Sequence, residues 1–139
     1  MVKVIRQGFL LLCWLGIFVS ANAAETILGR VAGVTDGDTI TVLVAGHDQV
    51  KVRLANIDAP EKTQPFGQRS KQVLSDLTFG KAVECNQSGL DRYGRTIAVC
   101  SGGGTVISLA MVKAGMAWVY RKYARNVPEY YAAEDEAHR

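Results

Sequence analysis

The sequence predicts a mainly β domain with helices, an α+β architecture, on three observations. Of its 139 residues, 48% are hydrophobic and 21% charged, which suits one domain with a core and is too apolar for a disordered chain. β-Branched residues dominate the stretch after residue 24, in runs that alternate with other side chains as a half-buried strand requires. Helical patterns come only later, and two of them stop at a glycine, Gly80 and Gly115, a residue that ends helices readily.

The elements follow in order. Residues 1–23 read as a secretory signal peptide: Lys3 and Arg6 make a basic start, Gly8 to Val19 carries no charge, and Ser20-Ala21-Asn22-Ala23 offers a small-residue cleavage site. The uncharged stretch falls well short of the roughly 20 residues that span a bilayer, so a retained anchor is the poorer reading. The expected mature chain is 24–139, secreted or periplasmic, with no stable membrane association after cleavage.

Thr26–Val34 and Thr39–Val44 read as strands, with Ile40, Val42 and Val44 alternating against Thr41 and Leu43. Gly46-His47-Asp48-Gln49 is a turn. Val50–Ile57 is a third strand, with Val52 and Leu54 on one face and Arg53 on the other, where it is expected to be exposed. Pro60 and Pro65 break the pattern, and a helix starts near Pro65, with proline tolerated in the first turn. It sets Val73, Leu74 and Leu77 on one face. Strands Lys81–Cys85 and Arg95–Cys100 flank a loop, Asn86–Gly94. A second helix spans Thr105–Ala114, and a third begins near Pro128 and runs into the chain end.

Five strands in a meander plus a hairpin, with a helix between the third and fourth, fit a five-stranded β-barrel of the OB type with three helices. Other small α+β arrangements satisfy the same pattern. Two cysteines remain after the expected cleavage, Cys85 and Cys100, each ending a strand-like run. Antiparallel pairing of those runs leaves two outcomes, a disulfide in an oxidising compartment or two small buried thiols.

Residues 24–126 hold 13 Lys and Arg against 9 Asp and Glu, a modest basic excess that suits a polyanion without demanding one. The sequence has no phosphate-binding Gly-rich loop, no H-E-x-x-H and no C-x-x-C pair. His47 sits in a turn and His138 beside the chain end, so histidine triads are excluded. Chemistry must therefore run on carboxylates, arginines or a metal. Three segments qualify: Asp36-Gly37-Asp38-Thr39, Arg53 through Asp58-Ala59-Pro60-Glu61, and Asp91-Arg92-Tyr93-Gly94-Arg95. Phosphodiester cleavage needs an activated water and charge compensation at phosphorus oxygens. A divalent cation held by carboxylates with a nearby general base supplies the first. Two arginine forks supply the second.

In that order and spacing, together with Ser108–Ala117, the segments resemble the thermonuclease (staphylococcal nuclease-like) family from about Thr26 to Glu136. The resemblance implies an OB-fold barrel and a Ca²⁺-dependent endonuclease acting on DNA and RNA, leaving 3′-phosphate ends. By motif, Asp38 and Asp58 match its metal-ligating aspartates. Ala59, at a position often threonine, would contribute a backbone carbonyl to the metal. Glu61 matches the general base, and Arg53 and Arg95 the phosphate-gripping pair. Tyr93 and Tyr123 stand where the family contacts the nucleotide. Stacking on them implies little sequence preference, and the expected state is a monomer. The C-terminal helix, ending at Ala137-His138-Arg139, is shorter than the family's, which points to a domain of low thermal stability.

Two other readings compete. A binding module of the same fold, for nucleic acid or phosphopeptide, would typically have lost the carboxylates or arginines that stand here. An extracytoplasmic module for oligosaccharide or protein leaves the five matched residues unexplained.

Overall fold

Strand alternation and barrel closure together decide where each functional segment ends up. The computed structural model describes residues 24–139, and the signal-peptide reading of 1–23 lies outside the described residues. Strands β1 (Thr26–Asp36), β2 (Thr39–Val44) and β3 (Asp48–Leu54) form an antiparallel meander. β1 also pairs antiparallel with β5 (Ala82–Leu90), and β5 with β6 (Thr96–Gly102). A parallel pairing of β3 with β6 closes these five strands into a barrel, and closure removes the open edges that a flat sheet would expose.

Val31, Ile40, Val42, Val52, Leu54, Val83 and Ala98 fill the barrel, one side of each strand as the two-residue period dictates. Helix α1 (Gly67–Thr78) buries Leu74 against it, and α2 (Ile107–Lys113) adds Met111 and Val112. Helix α3 (Pro128–Ala137) docks on α2, where the Ser108 and Tyr130 hydroxyls lie 2.7 Å apart. Two short strands, β4 (Ile57–Asp58) and β8 (Trp118–Val119), pair with each other, and β7 (Thr105–Val106) pairs with the end of β6.

Several boundaries differ from those expected. The third strand stops at Leu54, because Asn56 turns the chain with φ 69° before Ile57–Asp58 resumes as β4. The first helix begins at Gly67, two residues past Pro65, so the proline precedes the first turn instead of lying in it, since Phe66 takes a left-handed φ of 64°. Leu77, assigned to its buried face, is 37% exposed. Most of the expected loop Asn86–Gly94 is strand, because β5 runs on to Leu90 beside β6. Thr105 and Val106 form β7, so α2 starts at Ile107. Cys85 and Cys100 face each other across β5 and β6, fully buried, and are joined by a disulfide. Among the described residues, no helix is long and apolar enough to cross a membrane.

Candidate active site

The turn between β1 and β2 sets the first carboxylate. Gly37 is required there for space, since a Cβ would lie 1.8 Å from Ser70 Oγ and 2.8 Å from the Ala59 Cβ. The tight turn presses Asp38 against the Asp58-Ala59 segment. Asp38 is 5% exposed, and the Thr39 hydroxyl donates to its Oδ1 at 2.9 Å. The Ala59 N–H donates both to Asp38 Oδ2 at 3.2 Å and to Asp58 Oδ1 at 3.1 Å. The two aspartates, one from a turn and one from β4, thus converge on one backbone amide.

Arg53 sits on the same pair. Its Nη2 lies 3.3 Å from Asp38 Oδ2 and 3.2 Å from Asp58 Oδ1, while Nη1 donates to the carbonyls of Leu54 and Ile57 at 3.0 and 2.8 Å. The Tyr120 ring lies over the guanidinium, 5.5 Å from Arg53 Cζ to the ring centroid. Arg53 was expected to be exposed, yet its side chain is only 14% so. The reason is closure: β3 lies between β2 and β6, and the face opposite Val52 and Leu54 is walled by these carboxylates and by Tyr120.

Arg95 arrives from the turn ahead of β6, which the parallel pairing of Val52 with Thr96 sets beside β3. Asp91 holds it: Oδ2 accepts from Arg95 Nε at 2.6 Å, and Oδ1 accepts the N–H groups of Tyr93 and Arg95, each at 2.9 Å. Burial alone would raise the Asp91 carboxyl, but the Arg95 N–H, the Arg95 side chain and the Tyr93 N–H together hold it below the ordinary value. Arg95 Nη1 donates to Thr39 Oγ1 at 3.2 Å, so a single hydroxyl links the arginine to Asp38. The Tyr93 ring lies 5.4 Å from Arg95 Cζ and 4.9 Å from Arg92 Cζ.

Burial first, then the hydrogen bond and charge of Asp38, push the Asp36 carboxyl above its ordinary value, against the lowering by the Asp38 N–H and Thr39 hydroxyl.

A cleft of about 670 Å³ opens beside this cluster, lined by Arg53, Asn56, Asp58, Asp91, Arg95 and the rings of Tyr93, Tyr120 and Tyr123. Tyr123 is 63% exposed, meets Tyr120 edge to face at 5.0 Å and has Lys122 Nζ 5.2 Å from its centroid. Of the residues singled out in the sequence, Asp38, Asp58, Ala59 and Arg53 meet directly, Arg95 joins through Thr39, and Tyr93 and Tyr123 line the cleft. Glu61 stands apart, exposed on the turn after Pro60 and outside the cleft lining. Thr39, Asp91 and Tyr120 were missed as site residues. The Asp91–Arg95 spacing held a usable signal, an aspartate positioned to cap its own turn, whereas nothing local distinguishes Tyr120 from the other aromatics of 118–131.

Among the described residues, no three His, Cys, Asp or Glu side chains form a ready-made metal cage. The donors that do converge are two carboxylates, both already drawn to a cationic nitrogen. An all-oxygen set of that kind fits a hard divalent cation whose remaining ligands come from water and substrate.

Comparison with known proteins adds the family context. The family model described as staphylococcal nuclease homologue matches residues 51–139. The chain is 47% identical to an uncharacterized endonuclease of Haemophilus influenzae over 135 residues, 96% of this chain and 75% of that protein. It is 44% identical to a micrococcal nuclease of Shigella flexneri over 133 residues, 88% of this chain and 76% of the relative. A probable staphylococcal-like nuclease of Oryza sativa is 34% identical over 135 residues, 86% of this chain and 40% of that longer protein.

Proposed function

Since the chain belongs to the staphylococcal nuclease homologue family, we propose that it is an exported Ca²⁺-dependent endonuclease that hydrolyses DNA and RNA to 3′-phosphate ends. The observation that carries this reading is the convergence of Asp38, Asp58 and Arg53, with Arg95 joined to them through Thr39, at the mouth of an aromatic-lined cleft. Asp38, Asp58 and the Ala59 carbonyl would hold Ca²⁺, which when bound supplies Lewis-acid polarisation and a more acidic water.

The two arginines divide the remaining work. Three N–H donors of Arg53 are bonded to protein oxygens and Nη2 also lies in an ion pair with Asp38, so it organises the carboxylates and turns toward a phosphate as that network opens. Arg95 is fastened at Nε and at one Nη1 hydrogen, which leaves its Nη2 edge for a non-bridging phosphate oxygen. A phosphate there meets charge compensation that needs no rearrangement as pentacoordinate charge develops. Glu61, exposed on the turn three residues beyond Asp58, takes the proton from the attacking water, and among the described residues no hydrogen bond or ion pair holds its carboxylate away from the cleft. Tyr93 and Tyr123 stack bases, which every nucleotide offers, so sequence preference is small. The 1–23 segment directs export and the mature domain works as a monomer.

The test is digestion of heat-denatured DNA by residues 24–139, with Ca²⁺ or chelator, alongside Glu61→Gln. Wild-type protein should cleave only with Ca²⁺. The variant should lose about 10²–10⁴-fold in kcat while its nucleotide affinity holds. Cleavage in chelator would remove the metal from the reading, and a fully active variant would remove the base. A folded wild type that binds DNA and never cuts it would move the assignment to a binding module.

A further inference from the structure

Phe66 is the most exposed large apolar side chain among the described residues, at 80%, and it holds a left-handed φ of 64° at the start of α1 with no side-chain capping bond. Both features are unfavourable for a phenylalanine, because the left-handed region is strained for any residue with a Cβ and the ring gains nothing by lying in water. Neither is accidental looseness. The Glu61 N–H donates to Gln64 Oε1 at 2.7 Å, the Gln64 N–H to the Glu61 carbonyl at 2.8 Å, and the Gly67 N–H to the Gln64 carbonyl at 3.0 Å. Ser70 N–H then closes on the Phe66 carbonyl at 2.9 Å. Gly67 lies so close beneath that a Cβ there would sit 1.9 Å from the Glu61 carbonyl oxygen. The turn that carries Glu61 is thus the turn that holds the Phe66 ring out.

Its surroundings indicate what the ring meets. Lys62 and Arg69 on either side in sequence are exposed, as are Gln64 and Gln68, and the first turn of α1 holds no acidic residue. An exposed aromatic ring on a hydrogen-bonded turn, with exposed Lys62 and Arg69 nearby in sequence and Glu61 on the same turn, matches single-stranded nucleic acid. Every base offers a π face, and the backbone offers a phosphate on each side of it.

We propose that Phe66 is a stacking platform for a base outside the cleft, on a strand whose scissile phosphate lies at Arg95, with Lys62 and Arg69 drawing the adjoining phosphates. This subsite rests on the nuclease reading and adds to it: the enzyme grips more of a strand than the one nucleotide between Tyr93 and Tyr123, and so favours polymers over mononucleotide esters.

The experiment compares kcat/KM on a short oligothymidylate with that on a mononucleoside phosphodiester bearing a nitrophenyl leaving group, which has no neighbouring base. Phe66→Ala should lower the oligomer-to-minimal ratio about tenfold, Phe66→Trp should keep it, and Phe66→Leu should behave as alanine does. A ratio equal to the wild type in Phe66→Ala, or one fully kept by leucine, overturns the stacking role. If the wild type cleaves neither substrate, the nuclease reading fails by itself. Fluorescence anisotropy of labelled oligothymidylate then decides the platform: weaker binding by Phe66→Ala and not by Phe66→Trp supports it, and equal binding by all three proteins overturns it.

Discussion

Tyr120 has the structure's clearest claim to be a positioning residue that carries no chemistry of its own. Its N–H donates to the Asn56 carbonyl at 2.9 Å, which fixes the ring over Arg53. Tyr123 supports it edge to face. A guanidinium on an aromatic face in a partly desolvated site gains about 1 kcal/mol or somewhat more, enough to choose one orientation of a group that makes three hydrogen bonds and an ion pair. Tyr120→Leu should therefore raise KM for oligonucleotides several-fold with little change in melting temperature, and Tyr120→Phe should restore it. Equal defects in both variants would assign the effect to the phenol oxygen instead.

At this scale the sequence was legible where chemistry forces residue type. Asp38, Asp58, Arg53 and Arg95 could be named from their match to the family's motifs, whose residue types the chemistry explains, and the structure brings them together. The engagement of Arg53 was not legible. Strand alternation says which face a side chain leaves by, but not what another strand places on that face.

Among the elements, α3 is joined to β8 and the segment after it by a buried charge. Glu134 is 4% exposed, accepts the Val119 N–H of β8 at 2.9 Å and pairs with Arg121 Nη2 at 2.6 Å. Burial raises this carboxyl, but the Val119 N–H, then the Arg121 side chain and its charge, outweigh that and hold it below the ordinary glutamate value. A depressed folded value means that the ionised form stabilises the native state. The contribution is present above the ordinary glutamate range and is lost as pH falls through the folded value.

Melting temperature should thus decline between about pH 5 and pH 3 more steeply in wild type than in Glu134→Gln, which starts about 1–3 kcal/mol less stable at neutral pH. Asp91 contributes an acid limb of the same sign, so the comparison with the variant, rather than the wild-type curve alone, isolates Glu134. Parallel acid limbs in the two proteins would show that Glu134 does not anchor the helix. Long elements were legible from period and stop signals, as with β2 and the α1 face around Leu74. The two-residue strands β4, β7 and β8 were not, because pairings that short are set by what lies opposite and leave no period to read.

For the whole molecule, the Cys85–Cys100 bond ties β5 to β6 at the root of the hairpin whose far end presents Asp91, Tyr93 and Arg95. With 15 residues of sequence separation, such a link is worth about 3 kcal/mol, chiefly by restricting the unfolded chain. Melting in strong reductant should fall by about 10 °C, and a Cys85→Ala, Cys100→Ala double variant should show no response to reductant. A wild type equally indifferent to reductant would mean that the bond does not form in solution.

Barrel closure has a consequence in time as well as in space. Asp38 and Arg53 are brought together within a local meander, but Arg95 reaches them only when β3 and β6, distant in sequence, lie side by side. Contacts of that separation carry the entropic cost of closing a long loop, which slows folding relative to a chain of local contacts. A chain caught before closure holds its acidic half-site without the arginine that completes it. The arginine therefore joins the carboxylates only through barrel closure, and a variant that opens the β3–β6 seam should lose the Arg95–Thr39–Asp38 link while keeping the Asp38–Arg53–Asp58 contacts.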